Sequence, residues 1–170
     1  MIRVMCGALP APAEKKTVVD ALIRKAFIAS GAAPEEAERV TKTALGQPVH
    51  PDYFLSVTHT AHFAAVAVGD VPVGIDMEEL DRRADLAVAR RFFCAAEADW
   101  IGEDKERFFR IWTRKEAYLK YLGTGIRRAL SSFSVLPGAE SEPAAFTEER
   151  HQEVLLTICT KEAASCSFSW

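Results

Sequence analysis

Two acidic residues at alternate positions of one apolar stretch are the first candidates for chemistry. The run VPVGIDME at 71–78 alternates, so a strand there would turn Asp76 and Glu78 to the same side. Gly74 shares that side and would let another group approach the backbone closely. Two carboxylates that point the same way can share one cation. The alternative is a solvated polar face on an edge strand.

A third acid stands out in the run FFRIWTRKEAYLK at 108–120. On an ideal helix, at about 100° per residue, an apolar stripe is formed by Phe108, Phe109, Trp112 and Leu119. The opposite face, where a solvated acid would be expected, comprises Arg110, Arg114, Ala117 and Tyr121. Glu116 falls inside the apolar stripe instead. A carboxylate on the buried side must find a cation or strong hydrogen-bond donors.

These three acids form a set of oxygen ligands with no His or Cys nearby in sequence. Such a set suits Mg²⁺, or Mn²⁺, better than Zn²⁺. We therefore predict that Asp76, Glu78 and Glu116 bind one divalent ion. Lys115 and Lys120 are then left for anionic oxygens of a substrate, which is the grouping that phosphoryl chemistry requires. The alternative for Glu116 is an i,i+4 ion pair with Lys120 on a surface helix.

The run SVTHTAHFAAV at 56–66 contributes a hydroxyl and an imidazole. Thr58 and His59 end a predicted strand and could both contact a phosphate group. His59 and His62 could instead be metal ligands, but the spacing lacks the glutamate of H-E-x-x-H. For His62 we favour a structural role.

The order of the elements that must position these residues indicates an α+β fold. Helices are predicted over 14–30, 34–45, 84–101 and 105–122, with a loop over 46–53. Strands are predicted over 2–6, 54–58, 63–68 and 71–78, followed by three closing, antiparallel strands over 131–136, 153–159 and 165–170. A tight two-residue turn is predicted at Gly69 and Asp70.

Composition and charge argue against several classes of protein, namely nucleic-acid-binding, disulfide-rich and membrane-spanning proteins. The chain has 170 residues and a net charge of −3, so overall charge does not favour nucleic-acid binding. Its four cysteines show no C-x-x-C pair and no short spacing with histidine, which indicates reduced thiols rather than disulfides or a zinc site. No apolar run approaches the ~20 residues of a membrane span, and the N-terminus does not resemble a signal peptide. We expect a cytoplasmic protein with no membrane partner.

The motifs together resemble the paired signature of the 4′-phosphopantetheinyl transferase superfamily. VGIDMEE at 73–79 is similar to its G-(I/V)-D-x-E strand, and FFRIWTRKEAYLKYLGTGI at 108–126 to its W-x-x-K-E-(A/S)-x-x-K helix. RRFF at 90–93, followed by Glu97, fits the segment between them. SVTHTAHFAAVAV at 56–68 resembles the S-H-S strand of the surfactin-synthetase type, in which one chain holds two similar halves.

The resemblance implies a fold and an architecture. It implies two pseudo-symmetric α/β halves, each a small antiparallel sheet packed with helices, at 1–70 and 71–170, with a shortened N-terminal half. The C-terminal half would carry the metal site. Because both halves of the site lie in one chain, we expect a monomer.

It also implies an activity. The enzyme would move 4′-phosphopantetheine from coenzyme A to a serine of an acyl or peptidyl carrier protein and release adenosine 3′,5′-bisphosphate. Such carriers serve fatty-acid, polyketide or nonribosomal peptide biosynthesis. Arginines that could contact an acidic carrier protein are Arg82, Arg83, Arg90 and Arg91.

Residue roles carry over position by position. Asp76, Glu78 and Glu116 match the Mg²⁺ ligands, and Glu116 is also a candidate base for the serine proton. Lys120, with Lys115 less directly, matches lysines near the pyrophosphate. The residues matched to the adenosine 3′-phosphate are Thr58 and His59. The family's basic N-terminal helix is matched only loosely, by Lys15, Lys16 and Arg24, of which Lys16 is the candidate for coenzyme A binding.

One departure concerns coenzyme A binding. The family's G-K-P before the S-H-S strand is GQP here, so Gln47 stands where a phosphate-binding lysine is expected. Two other functions stay open at this point. A Mg²⁺-dependent phosphohydrolase would use the same acids without Thr58, His59 or a carrier protein. A catalytically silent family member would act as a binding protein.

Overall fold

The computed structural model describes residues 1–44, 46–124, 128–139 and 144–170. The α-helices in these ranges are α1 Lys15–Ala29, α2 Leu86–Phe92, α3 Ala95–Ile101 and α4 Lys105–Leu122. The strands are β1 Ile2–Ala8, β2 Thr41–Lys42, β3 Pro48–Val49, β4 Phe54–His59, β5 Phe63–Gly69, β6 Gly74–Glu79, β7 Ala145–His151, β8 Val154–Thr160 and β9 Cys166–Ser169. None of the described helices is long and apolar enough to cross a membrane.

Small sheets packed with helices give a mixed α/β fold. The larger sheet has the order β4-β5-β1-β9, in which only the β1–β9 pair is parallel. A second sheet, β6-β8-β7, is antiparallel throughout, and β2 pairs with β3. Apolar residues of both main sheets share one core, in which Val4 and Ala67 pack with Ile75 and Leu156. Helix α1 covers the other face of the larger sheet, where Phe27 is completely buried.

Helix α4 lies directly on β6. It begins after Asp104, whose carboxylate accepts from the Arg107 amide at 3.0 Å, and it ends at Gly123, which has a φ of 67°. A Cβ at Gly74 would overlap the carbonyl oxygen of Ala117 and the amide nitrogen of Tyr121. The absence of a side chain at Gly74 therefore lets the helix backbone contact the strand. The group that approaches this glycine is the protein's own helix.

Polar contacts join β4 of the larger sheet to β6 of the smaller one. The Ile75 amide donates to Ser56 Oγ at 3.0 Å, and the Thr58 hydroxyl donates to Asp76 Oδ1 at 3.1 Å. All four residues are buried. The ends of both sheets that carry the candidate residues are thus held side by side.

Strong periodic patterns predicted most of the elements correctly. The predictions for β1, α1, β4, β5, β6, α4 and β8 are confirmed within a few residues. The helix predicted over 84–101 is interrupted at Phe93 and Cys94, which separate α2 from α3.

Predictions that depended on a partner element were wrong in several places. The helix predicted from Pro34 is a 3₁₀ helix ending at Arg39, because the next residues pair as β2 with β3; position 45 lies outside the described residues. The tight turn at Gly69 and Asp70 does not join paired strands, since β6 pairs with β8. Residues 131–136 form no strand, β7 was not predicted, and β9 is parallel to β1 rather than antiparallel.

One face of α4 was also predicted incorrectly. Ala117 was expected on the solvated face, but it is completely buried because β6 packs against it at Gly74. Tyr121 on the same face is partly buried. Helical periodicity located the apolar stripe, but a second buried face resulted from the close approach of the strand.

Candidate active site

Asp76 is the point at which three elements meet. Its Oδ1 accepts from Thr58 Oγ1 of β4 at 3.1 Å and from Lys120 Nζ of α4 at 2.7 Å. The Lys120 ammonium also donates to the Ile75 carbonyl at 2.9 Å. Because the Asp76 side chain is only 10% exposed, these charge-assisted contacts replace water around the carboxylate. The structure thus brings Thr58, Asp76 and Lys120 together.

Glu78 lies two residues further along β6. Its Oε2 is 2.7 Å from Arg82 NH2, and the Trp112 side chain also interacts with its carboxylate. Burial raises the pKa of Glu78 to about 7, and the negative charge of Asp76 adds to this shift, whereas Arg82 and Trp112 oppose it. Glu78 is therefore a partly buried acid whose charged form a nearby positive charge would stabilise.

Glu116 has a similar environment on α4. Burial raises the pKa of its carboxyl group, the charge of Asp76 raises it further, and Lys120 lowers it. Glu78 and Glu116 thus both respond to the charge of Asp76. Mutual repulsion among partly buried carboxylates is the condition that a divalent cation relieves.

The donor set fits a hard divalent cation in its chemistry. It consists of three carboxylates beside the Thr58 hydroxyl, which are oxygen donors of the kind that Mg²⁺ and Mn²⁺ prefer. In the arrangement described, Asp76 holds Lys120 and Glu78 holds Arg82 instead. The sharing of one ion by these acids stays a prediction.

A different group of side chains has its possible metal-ligand atoms close together. Among the described residues, one ligand atom each of Glu36, His50 and Asp52 lie within 4.8 Å of one another. Arg39 NH1 already bridges the two carboxylates, at 2.7 Å from Glu36 and 2.8 Å from Asp52. His50 Nδ1 accepts from the Asp52 amide at 3.1 Å, which leaves the proton of neutral His50 on Nε2, facing Glu36. Arg39 thus pairs with both carboxylates of this group, while the buried His50 Nε2 lies 3.0 Å from Glu36 Oε2 without a hydrogen-bond partner.

A basic cavity of about 830 Å³ lies beside His59. Its basic lining residues are Lys15, Lys16, Arg24, Lys42 and His59. Lys15 Nζ is 3.0 Å from His59 Nε2, and burial together with the Lys15 charge lowers the pKa of His59. Lys16 pairs with Asp20 at 2.6 Å. Asp20 and Glu38 also line the cavity and pair with Lys16 and Arg24, so Lys15 and Lys42 supply the excess positive charge that an anion site requires.

A neighbouring cavity of about 590 Å³ lies on the other side of the loop at 46–48. Gln47 and Lys120 line it, while Gly46 and Pro48 border both cavities. Gln47 thus lies on the Lys120 side of the loop. Its role in phosphate binding stays a prediction.

The structure does not bring Lys115 to the site. Its side chain is completely buried, with Nζ 2.7 Å from Glu97 Oε2 and donating to the carbonyls of Leu130 and Phe133. Burial lowers the pKa of Lys115, and Glu97 opposes the shift. The ammonium therefore has two backbone acceptors and one ion-pair partner inside the protein. The predicted contact of Lys115 with coenzyme A is corrected accordingly.

Sequence reasoning missed two residues that hold Glu78. Trp112 was assigned to the apolar stripe, although a buried indole N–H usually needs an acceptor, and this rule could have identified it. Arg82, which lies four residues after Glu78, was assigned to a surface for a carrier protein. The contact of Lys15 with His59 did not follow from any local pattern, because it spans 44 residues.

Comparison with known proteins identifies the family. The model of the 4′-phosphopantetheinyl transferase superfamily matches residues 72–167, more than half of the chain. The chain belongs to this superfamily.

Curated relatives agree with this membership. The chain is 34% identical to 4′-phosphopantetheinyl transferase psf-1 of Bacillus pumilus, over 71% of this chain and 59% of the relative. It is 33% identical to 4′-phosphopantetheinyl transferase Sfp of Bacillus subtilis, over 52% of this chain and 41% of the relative. It is 32% identical to 4′-phosphopantetheinyl transferase HetI of a Nostoc strain, over 74% and 59%. The chain thus spans about two fifths to three fifths of the length of these relatives.

Proposed function

We propose that this protein transfers 4′-phosphopantetheine from coenzyme A to a serine of an acyl or peptidyl carrier protein and releases adenosine 3′,5′-bisphosphate. The observation that carries the proposal is the 2.7 Å ion pair between Lys120 and Asp76, which joins the superfamily's two motifs at one place. The carrier would belong to fatty-acid, polyketide or nonribosomal peptide biosynthesis.

Asp76, Glu78 and Glu116 would hold the divalent ion, which we propose to be Mg²⁺ with Mn²⁺ as a substitute. When bound, the ion would neutralise charge on the pyrophosphate oxygens. The carboxylates support this role because burial and the charge of Asp76 make a positive partner favourable for both glutamates.

The chain's cations would bind and orient coenzyme A. Lys120 would donate to the pyrophosphate, where a fixed positive charge stabilises the leaving phosphate. His59 would contact the 3′-phosphate at the basic cavity, with Lys15 and Lys16 at its wall. Thr58, which was matched to the same phosphate, does not line this cavity, and its hydroxyl donates to Asp76 instead.

Glu116 would take the proton of the carrier serine. A general base must lie within hydrogen-bond reach of the hydroxyl, directly or through one water. The proposal is supported by the position of Glu116 on the α4 face that carries Lys120, whereas Lys115 points into the core.

An exposed basic surface would receive the carrier protein. Arg83 and Arg91 are exposed, Arg82 lies at the edge of the site against Glu78, and Arg90 pairs with Glu103. Positive charge around the site would attract an acidic partner and speed encounter.

We also propose two similar halves, at 1–70 and 71–170, acting as a monomer. Supporting this, each main sheet is packed with one long helix, α1 or α4, and β4 and β6 meet at the join. Strand β9 crosses between the two halves, since it belongs to the C-terminal half of the sequence but pairs with β1 of the N-terminal half. A shortened N-terminal half stays a prediction.

Intact-mass analysis of an apo-carrier protein incubated with the protein, coenzyme A and Mg²⁺ tests the function. We expect the carrier to gain one phosphopantetheine, and chelation of Mg²⁺ to stop the gain. Glu79→Gln is a suitable control variant because Glu79 is the next acid on β6 but contacts His62. It should retain transfer.

The same experiment separates the competing functions. Cleavage of coenzyme A without a carrier would indicate a phosphohydrolase. Binding of coenzyme A with neither cleavage nor transfer would indicate a silent member of the superfamily.

A further inference from the structure

Glu97 and Lys115 form an ion pair that is completely removed from solvent. Lys115 Nζ is 2.7 Å from Glu97 Oε2, and both side chains are 0% exposed. The same ammonium donates to the Leu130 carbonyl at 2.7 Å and to the Phe133 carbonyl at 2.8 Å. Glu97 Oε1 accepts from the Val135 amide at 2.8 Å. The contact between Lys115 Nζ and Glu97 Oε2 is a short ion pair without hydrogen-bond geometry, whereas Glu97 Oε1 and two of the ammonium protons have directed partners.

The pair connects three parts of the fold behind the site. Glu97 belongs to α3, Lys115 belongs to α4, and their backbone partners lie in the stretch 130–135. The ammonium also lies 4.2 Å from the ring centroid of Phe133 and 5.3 Å from that of Phe93. The rear of α4 is therefore fixed by contacts in several directions.

Stability alone does not explain a buried ion pair. Desolvation of two charges offsets much of their attraction, and well-packed apolar residues often do as well. A directed pair can instead specify one arrangement of the elements that it joins.

The position of Lys115 on α4 makes such an arrangement relevant to the site. Lys115 and Glu116 are adjacent, so they project about 100° apart on the helix. With Lys115 held in the core, Glu116 projects from a neighbouring side of the helix, and Lys120 reaches Asp76. On its other side, α4 touches β6 at Gly74.

We propose that Glu97 and Lys115 are positioning residues that set the rotation and axial position of α4, and so aim Glu116 and Lys120 at Asp76. The consequence for catalysis rests on the proposed function. The geometric claim concerns only the metal-free protein.

The charge-free double variant Glu97→Gln/Lys115→Met tests the claim. It leaves no uncompensated buried charge, and the carboxamide oxygen of the new side chain can still accept from the Val135 amide. We expect this variant to fold. Its crystal structure, determined without metal, should show that Lys120 no longer contacts Asp76. We also expect Mn²⁺ affinity, titrated by electron paramagnetic resonance, to fall about 10- to 100-fold. In carrier modification, kcat should fall while the KM for coenzyme A changes little.

A matched pair provides the control. Thr113 and Thr157 also join α4 to a neighbouring element and are 0% exposed, with their hydroxyl oxygens 2.7 Å apart. Thr113→Val/Thr157→Val should keep the wild-type Mn²⁺ affinity and the contact between Lys120 and Asp76.

Retention of that contact and of wild-type Mn²⁺ affinity in the charge-free variant would overturn the proposal. If that variant does not fold, Glu97→Asp tests the proposal instead, because it keeps the charge but shortens the side chain by one methylene. Unchanged Mn²⁺ affinity in folded Glu97→Asp would overturn the proposal equally. Failure of the wild-type protein to modify any carrier would refute the proposed function alone, since the crystal structure still decides the position of α4.

Discussion

Lys120 Nζ lies 2.7 Å from Asp76 Oδ1, across the contact between α4 and β6. The two residues are 44 positions apart in sequence, and neither side chain is more than about a quarter exposed (27% and 10%). Because Lys120 also donates to the Ile75 carbonyl, it binds the strand through both backbone and side chain. This lysine thus compensates the charge of Asp76 in the metal-free protein.

Replacing Lys120 with methionine should affect both stability and transfer. We expect a loss of about 2 kcal/mol in the free energy of unfolding without metal, because Asp76 loses a charge-assisted partner. Transfer should fall about 100- to 1,000-fold, as for other fixed donors to developing charge. Urea unfolding and carrier modification measure these effects. Lys105→Met, at the exposed start of α4, should change neither, and an active Lys120→Met enzyme would exclude Lys120 from the pyrophosphate contact.

Replacing Glu116 with glutamine should separate catalysis from folding. We expect transfer to fall about 100- to 10,000-fold, since both a metal ligand and a candidate base are lost. Without metal the melting temperature should stay the same or rise, because a partly buried acid is removed. Thermal melts with and without Mg²⁺ should show that the stabilisation by the ion is reduced. Glu106→Gln, an exposed acid on the same helix, is the control, and near-normal transfer by Glu116→Gln would make Glu116 structural.

The remaining two acids should respond differently to added metal. Asp76→Ala and Glu78→Ala each leave two carboxylates, so we expect high Mg²⁺ or Mn²⁺ to restore part of the transfer. For Glu116→Gln, metal should restore less, because it cannot supply the base. Rates measured against metal concentration test this order. Equal rescue of all three variants would argue that Glu116 is a ligand only.

A side chain at position 74 should separate α4 from β6. Gly74→Ala places a methyl group against the Ala117 carbonyl and the Tyr121 amide, both of which are backbone atoms that cannot swing aside. We expect a loss of about 3 kcal/mol in the free energy of unfolding. Gly7→Ala is the control, since its Cβ would lie 3.4 Å from the flexible Leu22 side chain. Equal stability of both variants would contradict the close packing of α4 on the strand.

Restoring a lysine at position 47 tests the resemblance at the loop between the two cavities. If Gln47 stands in a phosphate-binding position, Gln47→Lys should lower the KM for coenzyme A about ten-fold, as one charge-assisted contact would. Steady-state kinetics over a range of coenzyme A concentrations measures this change. An unchanged or higher KM would show either that the resemblance at 46–48 does not hold or that another cation already fills that place.

Local patterns predicted the fold where burial follows the period of a single element. The alternation of 71–78 located β6, and helical spacing located α1 and α4. The same patterns did not reveal β7 or the parallel pairing of β9 with β1. Strand pairing depends on which remote segment offers its edge, and no local period carries that information.

The residues of the candidate site were likewise only partly predictable from the sequence. Sequence motifs selected Asp76, Glu78, Glu116 and Lys120, and they indicated an oxygen-ligand site for a divalent ion. The roles of Trp112 and Lys115 did not follow from the motifs, since both residues were assigned by type and spacing alone.

By itself, the sequence determined the residue types and the faces on which they lie, because alternation and helical periodicity are properties of a few neighbouring residues. Only the tertiary structure decided where each charged side chain of α4 points. Lys115 turns inward because two backbone carbonyls accept from its ammonium there, and the Glu97 carboxylate is 2.7 Å away to balance its charge. Lys120 reaches Asp76 because Gly74 lets the helix touch the strand. These outcomes depend on packing between remote segments, which sets the solvation and partners of every charge.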